Sequence, residues 1–133
     1  MKPTILCIED QSDNMTLIRR IFRPESYNLL EAKTGLLGLS IAESQDLDVI
    51  LLDINLPDID GYEVARRIRS GPRNTLVHTP IIAVTANALR GDSQKAYEAG
   101  CDVYMPKPVN IIELMDTVDA LVKKKCEETQ NDL

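Results

Sequence analysis

The sequence predicts an α/β fold, a three-layer (βα)5 unit with a doubly wound parallel sheet. Two observations carry this. Apolar runs at residues 4–8, 49–52 and 81–84 are nearly continuous in Ile, Leu and Val. Strands covered on both faces read that way, which points to a parallel sheet. Between the five apolar runs lie stretches with apolar residues spaced by three and four, several with a capping residue at the start. The connections are short and contain no repeat or low-complexity tract, so one sheet with right-handed crossovers accounts for the chain.

The elements follow in order. After the first strand, at residues 4–8, Ser12 or Asp13 is expected to cap a helix with Met15, Ile18 and Phe22 on its apolar face. A second strand is expected at residues 27–30, and Thr34 then opens a Leu-rich helix through Leu37 and Ile41. The third strand, residues 49–52, leads to a helix capped by Asp60, carrying Val64, Ala65 and Ile68, and stopped by Gly71 and Pro72. The fourth strand, residues 81–84, precedes the weakest helical pattern, Asp92–Ala99, where Ala96, Tyr97 and Ala99 supply the apolar side chains before Gly100. A fifth strand at residues 102–105 precedes the clearest helix. Asn110 caps it, Glu113 sits at the capping-box position, and Ile111, Leu114, Met115, Val118, Leu121 and Val122 form one stripe. Lys123, Lys124 and Lys125 suit the negative end of its dipole. Residues 1–125 are therefore expected to form the domain, with residues 126–133 a polar tail that frays.

Composition narrows the function. The 133 residues fit one domain, with 44% hydrophobic and 27% charged residues. Fifteen basic against 21 acidic residues give a net charge of −6, which argues against nucleic-acid and anionic-membrane partners. No apolar run approaches the ~20 residues of a membrane-spanning helix, and the N-terminus lacks the hydrophobic length of a signal peptide. Cys7, Cys101 and Cys126 are scattered and, with the single His78, offer no zinc spacing. A reduced, cytoplasmic setting is the expectation.

In open parallel sheets, function gathers at the carboxyl ends of the strands. Those ends here carry Glu9 and Asp10 after the first run, Asp53 after the third, Thr85 after the fourth and Lys107 after the fifth. With the first and third strands adjacent, three carboxylates converge. They repel one another unless a cation joins them, and Mg2+ with its preference for oxygen ligands suits them. Lys107 adds a charge to hold a phosphoryl group and Thr85 a hydrogen bond. A carboxylate can itself take a phosphoryl group as an acyl phosphate. The constellation suits Mg2+-dependent phosphorylation of an aspartate.

The ordered words Ile8-Glu9-Asp10, Leu52-Asp53-Ile54-Asn55-Leu56-Pro57 with Asp60-Gly61, Val84-Thr85-Ala86 and Tyr104-Met105-Pro106-Lys107-Pro108 resemble a response-regulator receiver domain of two-component signalling, over about residues 2–124. The resemblance implies a flavodoxin-like sheet of strand order 2-1-3-4-5. It implies Asp53 as phosphoacceptor, with Asp10, Asp53, Glu9 through water and the Asn55 backbone carbonyl holding Mg2+. Thr85 and Lys107 are expected on the phosphoryl oxygens, Tyr104 at the aromatic switch position, and a cis bond between Lys107 and Pro108. Glu9-Asp10 stands in place of a double aspartate, and Pro106 stiffens the loop before the lysine. The Asp13-Asn14-Met15 stretch and the residues around Thr85 are similar to stand-alone cell-division regulators and to receivers of hybrid histidine kinases. The partners implied are a histidine kinase or histidine-phosphotransfer protein and a downstream effector protein. The start at Met1 and the polar tail suggest a small protein complete without an output module, a switch and not a turnover enzyme.

Two other classes are open to this fold. An aspartyl-phosphate phosphatase of the haloacid-dehalogenase type puts Asp-x-Asp after its first strand, where this chain has Glu9-Asp10-Gln11. A flavin carrier needs a Ser/Thr/Gly-rich loop there. Beyond the site, His78 is expected on the surface, Cys7 as a small buried hydrophobe, and Cys101 and Cys126 as more exposed. Met15, Met105 and Met115 are expected as core filler. Asp58, Asp60 and Glu63 read as a solvated loop and helix start, and Asn55 and Asn87 as neighbours of the pocket.

Overall fold

The computed structural model describes residues 2–71, 78–86 and 92–131, with the side chains of Asp92 and residues 125–131 outside the description. Five strands and five helices alternate: β1 (Thr4–Ile8), α1 (Ser12–Ile21), β2 (Asn28–Ala32), α2 (Gly35–Ser44), β3 (Val49–Asp53), α3 (Gly61–Ser70), β4 (Ile81–Thr85), α4 (Asp92–Ala99), β5 (Val103–Pro106) and α5 (Ile111–Asn131). All strands pair in parallel in the order β2-β1-β3-β4-β5. The predicted fold class and strand order are what is found.

Because successive side chains point to opposite faces of a strand, one apolar run feeds two cores. Ile5, Cys7, Val49, Leu51, Ile82 and Val84 meet Met15, Phe22, Leu114 and Val118, under α1 and α5. Leu6, Ile8, Ile50, Leu52, Ile81 and Ala83 meet Ala42, Val64, Ala65, Ile68, Ala96 and Ala99, under α2, α3 and α4. Both faces of β3 and β4 are therefore buried along their whole length, as continuous runs demand.

Several boundaries differ from the sequence reading, each for a local reason. Gln11, with extended backbone, occupies the cap position of α1, and Ser12 and Asp13 lie inside the helix. Phe22 is the C-terminal cap residue of α1, buried edge-to-face against Tyr27 with centroids 5.1 Å apart. β2 begins and ends later than expected. As an edge strand it tolerates Glu31, which pairs with Arg19 at 2.6 Å. β3 and β4 each run one residue further, so Asp53 and Thr85 sit inside the sheet. β5 ends on Pro106, acceptable at an edge because proline lacks the N–H that an inner strand must donate.

The Leu-rich reading of α2 fails in its detail. Leu36 and Leu37 are exposed, while Gly35, Gly38 and Ala42 face the core. The helix lies so close to β1 that a Cβ at Gly38 would come 2.7 Å from Ile8 Cγ1, which leaves no room for a larger residue. The stripe of α5 is likewise narrower than expected. Leu114 and Val118 are buried, Ile111 and Met115 exposed. The caps on Thr34, Asp60 and Asn110 form as predicted, accepting from the N–H groups of Leu37 (3.1 Å), Glu63 (2.8 Å) and Asn110's partner Glu113 (3.0 Å). The backbone of α5 stays helical to Asn131, where a frayed tail after Lys125 was expected. Gly71 caps α3, while Pro72 lies outside the described residues. Among the described residues no helix is long and apolar enough to cross a membrane.

Candidate acidic site at the strand ends

Parallel strands bring their carboxyl ends to one rim, and this is where the polar residues of the sheet collect. The carboxylates of Glu9, Asp10 and Asp53 lie with ligand oxygens all within 4.8 Å of one another. Pairing of Ile8 with Leu52 puts β1 beside β3 and so brings them together. Glu9 and Asp53 are only 5% and 4% exposed; Asp10 faces solvent.

Lys107 closes the cluster from the end of β5. Its Nζ donates to Glu9 Oε1 at 2.8 Å and stands 3.3 Å from Asp53 Oδ2. The backbone brings it there: Lys107 N–H donates to the Thr85 carbonyl at 2.8 Å, and the Lys107–Pro108 bond is cis. Thr85 ends β4, paired with Pro106 and 2% exposed. The Asn55 side-chain amide donates to Thr85 Oγ1 at 3.4 Å, and the Asn55 N–H donates to Asp53 Oδ1 at 3.0 Å. Asn55 thus ties the Asp53 carboxylate to the hydroxyl of the next strand.

The electrostatics are those of too much negative charge in too little water. Burial first, then Glu9, push the Asp53 carboxyl up to about 7, against the Asn55 N–H and the Lys107 ammonium. Burial also raises Glu9, but hydrogen bonds with Asp53 and Lys107 outweigh it and hold Glu9 below the usual carboxylate range. Burial lowers Lys107, and the two carboxylates more than restore it. Glu9 Oε2 is buried without a hydrogen-bond donor. A divalent cation would offset the charge of both carboxylates at once. The oxygen-only donor set and this undersatisfied buried oxygen fit a hard metal ion.

The structure brings together Glu9, Asp10, Asp53, Asn55, Thr85 and Lys107. Tyr104 stands apart on β5, opposite Ala83 and two residues before the Thr85 pairing, on the same face of the strand. Its ring packs against the core under α2, α3 and α4, and its hydroxyl oxygen is buried. Asn87 lies outside the described residues. His78 is exposed and Cys7 buried, as expected; Cys101, expected to be more exposed, is buried, its thiol pushed up to about 11 by that burial. The side chain of Cys126 is outside the described residues.

Three contacts had no clear signal in the sequence. One is the direct Glu9–Lys107 ion pair across the sheet. Another is Asn14, in the first turn of α1, which lowers the Glu9 carboxyl while its amide donates to Gln11 Oε1 at 2.8 Å. The third is Asp58, exposed in the loop as expected, which also accepts the N–H groups of Gly35 and Leu36, both at 2.8 Å.

Comparison with known proteins agrees with this fold. The family model described as response regulator receiver domain matches residues 5–119. The chain is 33% identical over 118 residues to the polar-differentiation response regulator DivK of Brucella ovis, covering 89% of this chain and 94% of that one. The receiver domain of sensor histidine kinase PA1611 from Pseudomonas aeruginosa PAO1, solved with a magnesium ion in its active-site cleft, superposes with TM-score 0.83 at 35% identity, over 92% of this chain and 99% of that one. A CheY-like receiver domain protein from Methanospirillum hungatei JF-1 superposes with TM-score 0.85 at 26% identity, over 96% and 99%.

Proposed function

The chain belongs to the response regulator receiver domain family, and from that membership we propose that Asp53 accepts a phosphoryl group from a phosphohistidine donor. The observation that carries this reading is the buried Asp53 carboxylate, 3.3 Å from the Lys107 ammonium and within 4.8 Å of two further acids. A carboxylate oxygen of Asp53 attacks phosphorus, the phosphorus–nitrogen bond of the donor breaks, and the imidazole leaves with the bonding electron pair and takes up a proton. An acyl phosphate remains on Asp53.

Each neighbour has a part in that step. Glu9, Asp10, Asp53 and the Asn55 backbone carbonyl would hold Mg2+, which neutralises phosphoryl-oxygen charge when bound. Lys107 exchanges its Asp53 contact for a phosphoryl oxygen, and the Thr85 hydroxyl donates to another. The Asn55 N–H keeps Asp53 oriented by its hydrogen bond to Oδ1. Water attack on the phosphorus of the acyl phosphate releases inorganic phosphate and returns the carboxylate, so the chain acts as a switch and not as a turnover enzyme. Tyr104 follows Thr85 inward when that residue moves, and the face built by β4, α4, β5 and α5 changes shape for an effector protein. The donor is a histidine kinase or a histidine-phosphotransfer protein in a cytoplasmic phosphorelay.

Incubation with Mg2+ and a small phosphoramidate donor is expected to add one phosphoryl group by intact mass, acid-stable and base-labile. Asp53→Asn is expected to abolish that label, and a label of the same lability on the variant would overturn the assignment.

A further inference from the structure

The loop between β3 and α3 is a strap with three fixed points. At one end Asn55 N–H is bound to Asp53 Oδ1. At the other, Gly61 N–H donates to the Ile54 carbonyl at 2.9 Å, and Gly61 packs so tightly that a Cβ there would stand 2.7 Å from the Asp53 carbonyl oxygen. Midway, Asp58 accepts from the N–H groups of Gly35 and Leu36, its two oxygens each taking one. Those are orphan donors of the first turn of α2, which no carbonyl within the helix can satisfy. The neighbouring Ile59 fills the space over Gly35, where a Cβ would come 2.7 Å from Ile59 Cγ1. The strap and the start of α2 therefore meet with no slack. A close-packed contact of this kind passes displacement on instead of absorbing it.

We propose that Asp58 couples the first turn of α2 to the state of Asp53, so that occupation of the acceptor carboxylate is read out at Leu36 and Leu37. The inference rests on Asp53 being the acceptor and extends the reach of that site to the opposite side of the sheet from β5. Leu36 and Leu37 are 53% and 46% exposed, large apolar side chains on a turn that carries no acidic residue of its own. Asp58 is exposed; the slight desolvation of its carboxyl raises it, but the Leu36 and Gly35 N–H groups outweigh this and hold it below the usual range. The anionic form that makes both bonds is thus the resident one. Binding free energies are reciprocal between coupled sites. Whatever holds the first turn of α2 in one arrangement must therefore change cation or phosphoryl affinity at Asp53 by the same factor.

Amide hydrogen exchange on the full chain tests this, with and without Mg2+ and a phosphoramidate donor, and with Asp53 labelling followed by intact mass in the same samples. Labelled wild type is expected to show a several-fold change in exchange at Gly35, Leu36 and Leu37. Asp58→Ala is expected to label normally and lose that change, whereas Asp58→Asn, which retains one acceptor oxygen, keeps part of it. Labelled wild type with unchanged exchange at those three amides would overturn the coupling and leave the acceptor assignment standing. Absence of any label would instead count against Asp53 as acceptor. The coupling is then decided by Asp53→Asn, which must alter the same three amides in an Asp58-dependent way, and their indifference to it would overturn the proposal.

Discussion

The Lys107 ammonium donates to Glu9 Oε1 at 2.8 Å across 98 residues of sequence. The pair joins the end of the first strand to the loop after the last, and Asp53 lies beside it at 3.3 Å from the same nitrogen. This one cation offsets two buried acids. Its place in the cluster is also the reason that a second cation would bind there, because one positive charge leaves the carboxylates incompletely compensated.

Replacing Lys107 with alanine should expose that imbalance. Breaking a buried ion pair costs about 3–5 kcal/mol, and the 17% exposure of the Lys107 side chain reduces the expected loss to roughly 2–3 kcal/mol. Urea denaturation in EDTA reads it. Mg2+ should still bind and should restore more stability to the variant than to wild type, while labelling at Asp53 drops sharply. A variant that Mg2+ does not rescue would mean that Lys107 and the cation do not share this charge.

Asp53 should make stability depend on pH in the direction opposite to an ordinary paired carboxylate. Its folded pKa of about 7 lies above the ~4 of an unfolded aspartate. Between those values the native state binds more protons than the unfolded one, so stability falls as pH rises from about 4 to about 7 and then levels. In metal-free buffer at pH 8, Asp53→Asn should therefore raise the melting temperature. One pKa unit corresponds to about 1.4 kcal/mol, and each kcal/mol to about 3–5 °C for a chain of this size. Melting curves of both proteins at pH 4.5 and pH 8 check this, and a variant less stable than wild type at pH 8 would contradict it.

Metal affinity should follow the same titration. A cation needs Asp53 ionised and therefore competes with a proton. Mg2+ binding to wild type should tighten as pH rises from 6 to 8, with removal by EDTA most destabilising at the upper end. Isothermal titration at three pH values reads the trend; an affinity flat across that range would place Asp53 outside the cation's ligands.

Gly61→Ala should damage the site from outside it. The new Cβ would meet Ile54 Cα at 2.6 Å and the Asp53 carbonyl oxygen at 2.7 Å, both backbone atoms that cannot rotate away. Overpacking of this sort costs about 1–3 kcal/mol, and the strap must shift to relieve it. Slower labelling of Asp53 is expected together with the stability loss, and unaltered labelling would show that the strap yields without moving Asp53.

Arg69→Ala should cost stability alone. Its guanidinium donates to the Gly100 carbonyl at 2.9 Å, the Thr79 carbonyl at 2.7 Å and Asp102 at 2.8 Å, pinning the turn before β5 to the end of α3. Charge-assisted bonds of this kind are worth about 1.5–3 kcal/mol, and a loss of about 2–3 kcal/mol with unchanged Mg2+ affinity is expected from denaturation and titration. Arg69→Lys should recover little, since an ammonium cannot reproduce the three-way fork.

The sequence by itself determined the class of fold and the address of the site. Continuous Ile, Leu and Val at residues 49–52 and 81–84 make sense only with both faces covered, and in such a sheet the residue that follows each run must lie on the carboxyl rim. Glu9, Asp10, Asp53, Thr85 and Lys107 were legible for that reason, as were the caps Thr34, Asp60 and Asn110, because capping is settled within four residues. What only the tertiary structure decided depends on distance in sequence. No local pattern distinguishes a solvated Asp58 from one bound to Gly35 and Leu36, since its partners lie 23 and 22 residues away. Nor does Leu36-Leu37 look exposed until Gly38 is found against Ile8. The pairing of Glu9 with Lys107 and the protonation of Asp53 near neutral pH likewise exist only once β1, β3 and β5 end on the same rim. Charge and burial there act through space, over a few ångströms that the chain takes nearly its whole length to enclose.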